Sequence, residues 1–275
     1  VKEELGLEFE CESIDVRYDP RRRGIYAKEF HKLRGRKGLT MEDAIRLLKT
    51  TTYFGPMMVH MGDADGYLGG ISHNYPDIVK PCLQTIGPAA DTHRIVGMYM
   101  MTVNGQLMFI GDATINIYPD SRTLAEIAVQ TAKVARRFGV KPKVAMLSFS
   151  NFGTSGEMRT DRIEEAIEMA RELDPGIIID GPMQADTALI EEIQENYPFM
   201  EFDGPANVLI CPNLASANIA YKLLQRVAGA EMTGPILEGM AKPAHVLQRD
   251  DSVREVVHMA AICAVDAQRH ATQKL

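Results

Sequence analysis

Short apolar segments alternate with longer amphipathic segments through the second half of this chain. The apolar segments have the length of strands, and the amphipathic ones have the period and length of helices. In chain order they predict a strand at 144–149, a helix at 159–173, a strand at 177–180, a helix at 185–195, a strand at 207–211 and a helix at 215–227. Parallel strands need long crossover connections, so this alternation predicts an α/β fold with a mainly parallel sheet.

The first half carries the signals of further elements. They predict a basic helix at 26–37, a helix from the N-cap Thr40 to Lys49, the start of a buried strand at 56–60, two strands joined by a turn at 95–110, and a helix from its caps Asp120 and Ser121 to Phe138.

Two Gly-Pro pairs mark the predicted domain boundaries, at Gly87-Pro88 and at Gly234-Pro235. Such pairs are typical of turns between structural units. The prediction is a discontinuous first α/β domain of residues 1–88 plus 235–275 and a second α/β domain of residues 89–234.

Composition excludes several classes of protein. The formal net charge of −7 lacks the positive footprint that supplies most of the affinity for nucleic acid, so no such partner is expected. No apolar run is long enough to cross a bilayer, and no membrane association is expected. The four cysteines show no paired spacing, and three stand in apolar surroundings typical of reduced core residues in a cytoplasmic protein. No metal site is predicted, because the histidines and cysteines form no ligand pattern.

Polar residues follow two of the predicted strands. Ser148, Ser150 and Thr154 can cradle an anion together with backbone N–H groups of their loop. The same residues fit equally well a polar loop that caps the next helix. Asp180 and Asp186 follow the next strand, where aspartates more often cap a helix or line a turn than bind a ligand.

Two later segments combine turn or cap signals with cations. Asn213 is a natural N-cap, and Asn218 and Lys222 lie four residues apart, on one face of the following helix. Lys242 and Arg249 stand in a segment where glycine and proline turns flank a short apolar strand. Open α/β sheets bind phosphate-bearing ligands at such strand ends, so this segment is a further candidate.

Taken in order, several segments match the pattern of one family. They are Leu33-Arg34 with Lys37-Gly38, Ala64-Asp65-Gly66, Lys80-Pro81-x-Leu83-Gln84, Ser148-Phe149-Ser150, Asp180-Gly181-x-x-Gln184-x-Asp186, Asn218-Ile219-Ala220-Tyr221-Lys222 and Gly234-Pro235-Ile236 to Pro243. In these segments the chain resembles the phosphate acetyl/butyryltransferase family over nearly its whole length. A narrower likeness, to the acetyltransferase-like C-terminal domain of the large, hybrid bacterial malic enzymes, is carried by Asn74-Tyr75-Pro76, Asn151-Phe152-Gly153, Met183-Gln184-Ala185-Asp186 and Asp266-Ala267-Gln268.

The resemblance implies two α/β/α domains, of the phosphotransacetylase and isocitrate dehydrogenase-like kind, with coenzyme A and acetyl phosphate bound in the cleft between them. Arg34 matches a phosphate-binding arginine, and Lys80 stands where these transferases usually carry a second one. Arg249 matches an arginine near the C-terminus, Gln248 occupies the preceding serine position, and Glu255 falls where the transferases carry aspartate. Lysine lacks the bidentate fork of arginine, and loss of an oxyanion donor typically costs about 10²–10³ in rate.

These departures, with the ligand loops retained, predict binding of acetyl-CoA with weakened transfer. The predicted catalytic set is Gln248, Arg249 and Glu255, in degenerate form. The predicted contacts to acetyl-CoA or phosphate are Arg34, Lys80, Ser148, Ser150, Thr154, Asn213, Asn218, Lys222, Lys242 and Arg249.

Three functions remain open on this basis. The favoured one is a regulatory domain that binds acetyl-CoA and shifts the activity of malic enzyme domains in the same polypeptide. Malate oxidation, with its NADP and divalent metal, would then belong to those absent domains. The second is an active phosphate acetyltransferase, and the third is a purely architectural oligomerisation module. The expected partners are acetyl-CoA or another phosphate-bearing small molecule, malic enzyme domains in cis, and further copies of the chain in a dimer or larger homo-oligomer.

Overall fold

A computed structural model describes residues 11–90, 92–103, 105–152 and 161–272. The helices are α1 (Pro20–Arg34), α2 (Met41–Leu47), α3 (Thr51–Met61), α4 (Tyr75–Thr85), α5 (Ser121–Arg137), α6 (Asp161–Leu173), α7 (Ala185–Leu189), α8 (Glu191–Gln194), α9 (Leu214–Val227) and α10 (Val253–Thr272). The strands are β1 (Tyr67–Gly69), β2 (Val96–Val103), β3 (Gln106–Gly111), β4 (Lys143–Leu147), β5 (Ile178–Met183), β6 (Val208–Ile210), β7 (Glu231–Glu238) and β8 (Ala244–Val246).

Most of these strands form one six-stranded sheet, the large sheet, in the order β5-β4-β6-β3-β2-β7. Its β5, β4, β6 and β3 pair in parallel, whereas β2 runs antiparallel to both β3 and β7. β1 and β8 form a separate parallel pair. The α/β class with mainly parallel strands is therefore confirmed, and so is the strand pair predicted at 95–110.

Two helices cover one face of the large sheet. Asp120 caps α5 as predicted, because its Oδ1 accepts the backbone N–H of Thr123 at 2.8 Å. Leu124, Ala128 and Ala132 of α5 are fully buried against apolar residues of α6 and the strands. Burial of this continuous apolar stripe, at about 25 cal/mol per Å² of apolar surface, is what holds α5 to the sheet.

The opposite face of the large sheet packs against α9. Tyr221 of α9 stacks on Tyr99 of β2 with ring centroids 4.3 Å apart, and both side chains are buried. Ala217, one turn earlier on α9, is also fully buried in this cluster. The middle of α9 is thereby held against the middle of β2.

The helices α1–α4 and the β1–β8 pair form a second unit, called the helical unit below. Tyr26 and Phe30 of α1 pack against Phe54 and Met57 of α3 in one buried cluster. A further cluster joins α4 and β8 to Leu237 of β7, so the helical unit and the large sheet share buried apolar contacts.

The strand predicted at 56–60 is wrong, because those residues lie in α3. Tyr53, Phe54 and Met57 face α1 at helical spacing and are buried. Pro56 stands inside α3 and removes one intrahelical hydrogen bond. A short apolar run bounded by glycine fits a strand or a buried helix equally well, and packing on α1 decided between them.

The single helix predicted at 185–195 is also wrong, because the structure divides it into α7 and α8. Ile190, between them, has extended backbone angles of φ −117° and ψ 113°. The carbonyl of Ala188 accepts the N–H of Ala206 at 2.8 Å, and the Gln194 side chain donates to Thr187 O and Ala188 O. These carbonyls therefore have partners other than the helical N–H groups that a continuous helix would supply.

β7 runs through Gly234-Pro235 and stays in the large sheet as far as Glu238. At Gly234, with φ +145°, an added Cβ would lie 2.9 Å from the carbonyl oxygen of Met98 on β2. Only glycine permits that close approach of the two strands. The chain then returns to the helical unit through β8, and α10 packs against β7, β1 and β8.

The described residues allow two further statements. Cys82, Cys211 and Cys263 are buried and unpaired, as their apolar surroundings predict, and Cys11 is exposed. Among the helices that the structure describes, none has both the length and the apolar character needed to cross a membrane.

Candidate functional site

Arg34 and Lys80 line one cavity between the helical unit and the large sheet. Arg34 is the last residue of α1, and Lys80 lies on α4. The cavity has a volume of about 440 Å³ and is lined by Arg34, Tyr75, Pro76, Val79, Lys80, Leu83, Gln84, Thr114 and Ile115. The structure therefore brings together two residues that stand far apart in the sequence and that the resemblance assigns to phosphate binding.

Neither cation of this cavity is neutralised by a residue that the structure describes. Within the described ranges, Arg34 and Lys80 have no hydrogen-bond or ion-pair partner, and the cavity lining contains no aspartate or glutamate. Two unpaired cations in a cavity with apolar walls attract an anion such as a phosphate group.

The wall contributed by the large sheet is a tight turn that follows β3. Asp112 has a left-handed φ of 41°, and its buried carboxylate accepts the backbone N–H groups of Gly97, Ile115 and Asn116. Burial raises the pKa of Asp112, while these hydrogen bonds lower it. The turn presents Thr114, whose hydroxyl accepts a hydrogen bond from Tyr75 Oη at 2.8 Å.

Arg249 reaches the same end of α4 from the turn before α10. Its Nη2 donates to Oδ1 of Asn74, the N-cap residue of α4, at 3.3 Å. Asn74 directly precedes Tyr75, which lines the Arg34–Lys80 cavity. The turn therefore places Arg249 at the N-terminal end of α4, and neither Gln248 nor Arg249 is part of the cavity lining itself.

Two of the predicted ligand contacts lie on α9, close to the junction of the helical unit and the large sheet at which the cavity lies. Asn218 Nδ2 donates to the carbonyl of Ala113, beside Thr114, at 3.4 Å. The Lys222 ammonium is 5.1 Å from the centroid of the Tyr221 ring, which is cation–π distance. Burial raises the pKa of Tyr75, and nearby Asp112 and Tyr221 raise it further.

Ser148 and Ser150 follow β4, at a loop locked by side-chain amides. Asn151 Oδ1 accepts the N–H of Gln184 at 2.7 Å, and Asn151 Nδ2 donates to Gln184 Oε1 at 3.1 Å. Ser150 is buried, whereas Ser148 is partly exposed. Thr154 lies outside the described residues. The anion-binding role predicted for this loop stays a prediction.

Other predicted site residues have partners within the protein framework. Lys242 Nζ donates to the carbonyls of Val59 and His60 at the C-terminal end of α3, at 2.5 and 2.9 Å. Asn213 Oδ1 accepts the N–H of Ser216 at 2.9 Å, so this residue is the N-cap of α9 that its type predicts. These contacts account for the Lys242 and Asn213 side chains without a ligand.

Glu255 also has a framework partner. Its Oε2 accepts the N–H of Ser252 at 2.6 Å, and Ser252 Oγ accepts the N–H of Glu255 at 3.3 Å. This reciprocal pair is a capping box at the start of α10. The spacing Ser-x-x-Glu at 252–255 carries that signal in the sequence.

Asp180 and Asp186 accept hydrogen bonds from backbone N–H groups of their own surroundings, as we expected of turn and cap residues. Asp180 Oδ1 accepts the N–H of Gly181, and its Oδ2 accepts that of Glu201. Asp186 Oδ1 accepts the N–H of Thr187 at 2.8 Å. In the part of the chain that the structure describes, no three histidine, cysteine, aspartate or glutamate side chains gather as metal ligands.

Sequence reasoning missed two residues that organise the junction, Tyr75 and Asp112, and a third, Asp251, whose Oδ2 accepts the N–H of Gln248 in the turn before α10 at 2.7 Å. Asp112 lies two residues after the predicted strand pair, and Asp251 lies two residues after Arg249, so both positions could have been noticed. The hydroxyl contact of Tyr75 with Thr114 joins residues 39 apart, and no local pattern could have indicated it.

Known proteins of one family resemble this chain in sequence and in fold. A family model described as "Phosphate acetyl/butaryl transferase" matches residues 2–264. The chain is 40% identical over 252 residues to the phosphate acetyltransferase of Thermoanaerobacterium thermosaccharolyticum, covering 88% of this chain and 76% of that protein. The crystal structure of a phosphotransacetylase from Streptococcus pyogenes superposes with a TM-score of 0.89 at 35% identity, covering 98% of this chain and 82% of that one.

A relative of a different kind is the NADP-dependent malic enzyme of Escherichia coli. It is 38% identical over 267 residues, which are 96% of this chain and 35% of the malic enzyme. The similar region is thus about a third of that protein. The family match and the superposition lead to one conclusion: the chain belongs to the phosphate acetyl/butyryltransferase family.

Proposed function

We propose that this protein transfers an acetyl group between coenzyme A and inorganic phosphate. The observation that carries the proposal is the cavity that Arg34 and Lys80 both line, in which no described residue of the lining is acidic. The names of most similar proteins support the same activity. This places the proposal on the active transferase rather than on the regulatory domain that the sequence favoured.

The residues at the junction have roles that suit this reaction. Arg34 and Lys80 hold the phosphoryl group by charge and hydrogen bonds, and Arg249 closes the site from the turn before α10. The side-chain amide of Gln248 can donate a hydrogen bond to the acetyl carbonyl, the task given to a serine in related transferases. Apolar side chains, those of Val79, Leu83 and Ile115, form part of the cavity wall.

The direct test is formation of acetyl-CoA from acetyl phosphate and coenzyme A, followed by the ultraviolet absorbance of the thioester. The control is a variant with both Gln248→Ala and Arg249→Ala. We expect the wild-type protein to exceed this variant by at least about 10²-fold, the typical cost of a lost oxyanion donor. Equal rates for the two proteins would refute the proposal.

A second candidate function is the binding of acetyl-CoA as a regulatory ligand. It is favoured by Gln248 in place of serine and by the likeness to the E. coli malic enzyme. In that case malic enzyme domains on the same polypeptide, with their NADP and divalent metal, would respond to the ligand. Calorimetry with acetyl-CoA should give a measurable heat of binding together with negligible turnover. Such coupling also requires different affinities in two states of the full polypeptide.

A homo-oligomer, as expected from the sequence, is compatible with either function. Light scattering in the presence and absence of acetyl-CoA measures its size. A stable oligomer that shows neither binding nor turnover would favour the purely architectural module.

A further inference from the structure

Two hydroxyl groups join the helical unit to the large sheet at the Arg34–Lys80 cavity. Tyr75, the first residue of α4, donates its phenolic proton to Thr114 Oγ1 at 2.8 Å, and both residues line the cavity. Tyr75 belongs to the helical unit, whereas Thr114 lies in the turn that follows β3. The hydrogen bond therefore crosses the junction within the cavity that also holds the two cations.

The Thr114 hydroxyl has no strong acceptor for its own proton among the described residues. The acceptor within reach is the carbonyl oxygen of Gly97 at 3.4 Å, well beyond the distance of about 2.7–2.8 Å that is usual between two oxygens. That carbonyl already accepts the backbone N–H of Ala113 at 3.0 Å. Since Thr114 Oγ1 accepts the proton of Tyr75, its own proton is left to donate to a further acceptor.

The framework around the two hydroxyls holds them in place. The Asp112 carboxylate accepts the backbone N–H of Ile115 at 3.1 Å, so the turn that carries Thr114 is fixed. A Cβ added at Gly97 would collide with Thr114 Oγ1 and would lie 3.2 Å from Tyr75 Oη. Both hydroxyls therefore occupy space that is open only because position 97 is glycine.

The electrostatic surroundings keep Tyr75 in the role of donor. Burial raises the pKa of Tyr75, the hydrogen bond to Thr114 lowers it, and the charge of Asp112 raises it. The phenol therefore keeps its proton near neutral pH and continues to donate to Thr114. The Thr114 hydroxyl in turn is a donor within a cavity whose unpaired cations attract an anion.

We propose that Thr114 donates a hydrogen bond to the phosphoryl group held by Arg34 and Lys80, and that Tyr75 is the positioning residue that orients the Thr114 hydroxyl. This inference rests on the function proposed above, in which the cavity binds a phosphate group. Inorganic phosphate and acetyl phosphate both offer the charged acceptor oxygen that the protein itself does not give to Thr114. Thr114 keeps its proton throughout, so it binds and orients the phosphoryl group and takes no part in acetyl transfer.

Calorimetry with inorganic phosphate tests this inference without requiring turnover. We expect Thr114→Val, which keeps the shape and loses the hydroxyl, to raise the Kd for phosphate about 10-fold or more, as for a lost hydrogen bond to a charged group. Thr114→Ser retains the hydroxyl and should stay within about threefold of the wild type. Tyr75→Phe should raise the Kd about 3- to 10-fold, as for a lost neutral hydrogen bond.

A double variant separates orientation of Thr114 from a general effect on the fold. If Tyr75 acts through Thr114, the variant with both Tyr75→Phe and Thr114→Val binds phosphate as weakly as Thr114→Val alone. Losses that add in the double variant would overturn the positioning role of Tyr75. Chemical denaturation of each variant verifies that it is folded.

Tyr53→Phe is the matched control. Tyr53 Oη donates to Gln84 Oε1 at 2.7 Å, and Gln84 also lines the cavity. This second phenolic hydrogen bond joins α3 to α4 within the helical unit and does not reach the large sheet. Its loss should leave the Kd for phosphate within about twofold of the wild type. Equal losses in Tyr53→Phe and Tyr75→Phe would refute the specific role of Tyr75.

The remaining outcomes separate this inference from the proposed function. A wild type that binds phosphate no better than Thr114→Val overturns the role of Thr114, whatever its acetyl-CoA formation. A wild type that binds phosphate but forms no acetyl-CoA refutes the proposed function, and the variants still decide the role of Thr114. If Thr114→Val does not fold, the comparison of Tyr75→Phe with Tyr53→Phe decides. Weaker phosphate binding in Tyr75→Phe alone then supports the inference, and equal binding refutes it.

Discussion

Two groups of cations in this protein differ in what they contact. Arg34 and Lys80 face a cavity in which the residues that the structure describes supply no carboxylate. Arg137 of α5, by contrast, contacts both Glu238 and Asp266, and Lys242 caps the end of α3. Both groups are basic and adjoin a cavity. The cations of the second group have partners within the protein, whereas those of the first group are left to attract an anionic ligand. Positive charge therefore indicates an anion site only where the protein has not already neutralised it.

The largest effect is expected where a framework cation is removed. Arg137→Met leaves the Glu238 carboxylate, whose pKa is raised by burial and lowered by Arg137, without its partner. We expect the free energy of unfolding to fall by about 3 kcal/mol, as for other broken buried pairs. Chemical denaturation measures it. Arg136→Met is the matched control, because the Arg136 side chain is more exposed than that of Arg137 and pairs with one carboxylate, Asp174, instead of two; this pair should contribute at most about 1 kcal/mol. Equal losses would contradict the distinction.

Removal of a cation that lines the cavity should lower activity and leave the free energy of unfolding nearly unchanged. For Arg34→Ala we expect kcat/KM for acetyl phosphate to fall about 10- to 150-fold, from the loss of roughly 1.5–3 kcal/mol for hydrogen bonds to a charged group. Arg36→Ala is the control, since this exposed neighbour does not line the cavity. A comparable loss in the control would show that general positive charge, and not the cavity, matters.

Lys242 could belong to either group of cations. The sequence predicts that it contacts the ligand, whereas the structure pairs it with carbonyls of α3. Its two hydrogen bonds to α3 carbonyls predict that Lys242→Met lowers the free energy of unfolding by about 1–2 kcal/mol. Affinity for acetyl-CoA, measured by calorimetry, should stay within about twofold, well under the 1.4 kcal/mol of a tenfold change. A lower affinity for acetyl-CoA with an unchanged free energy of unfolding would show instead that Lys242 contacts the ligand.

The smallest effect concerns Asp251 and depends on pH. The folded-state pKa of Asp251 is raised from 3.8 to about 6, so the folded protein binds this proton more tightly than the unfolded chain. The resulting stabilisation is complete below about pH 4 and is lost as pH rises through about 6. Asp251→Asn should therefore gain stability relative to wild type as pH rises above about 4, reaching a full gain of less than about 1 kcal/mol after solvent screening once pH exceeds about 6. Thermal unfolding at several pH values measures this. A gain that is independent of pH would contradict the assignment.

The sequence predicted much of the fold and part of the candidate site. The alternation of apolar strands and amphipathic helices beyond β3 is a local property, and it was confirmed element by element except at 185–195. The strand expected at 56–60 proved to be α3, because the same short apolar run suits a strand or a buried helix until its partner is known. In the site, Arg34, Lys80 and Arg249 were named from the resemblance. Their assembly around Tyr75 and Thr114 depends on contacts across the chain.

By itself the sequence determined the α/β class, the helix caps at Asp120 and Asn213, and the family, because these depend on residue type and short-range order. The tertiary structure alone decided which cations face open space, since this depends on carboxylates and carbonyls that are distant in sequence. It brought Arg34 and Lys80 to one cavity without an acid, and it directed Lys242 to the end of α3. It also placed Asp251 in the turn before α10, where it accepts the Gln248 N–H, and Glu255 in a helix cap, because hydrogen bonds and burial within the fold set the environment of each carboxylate.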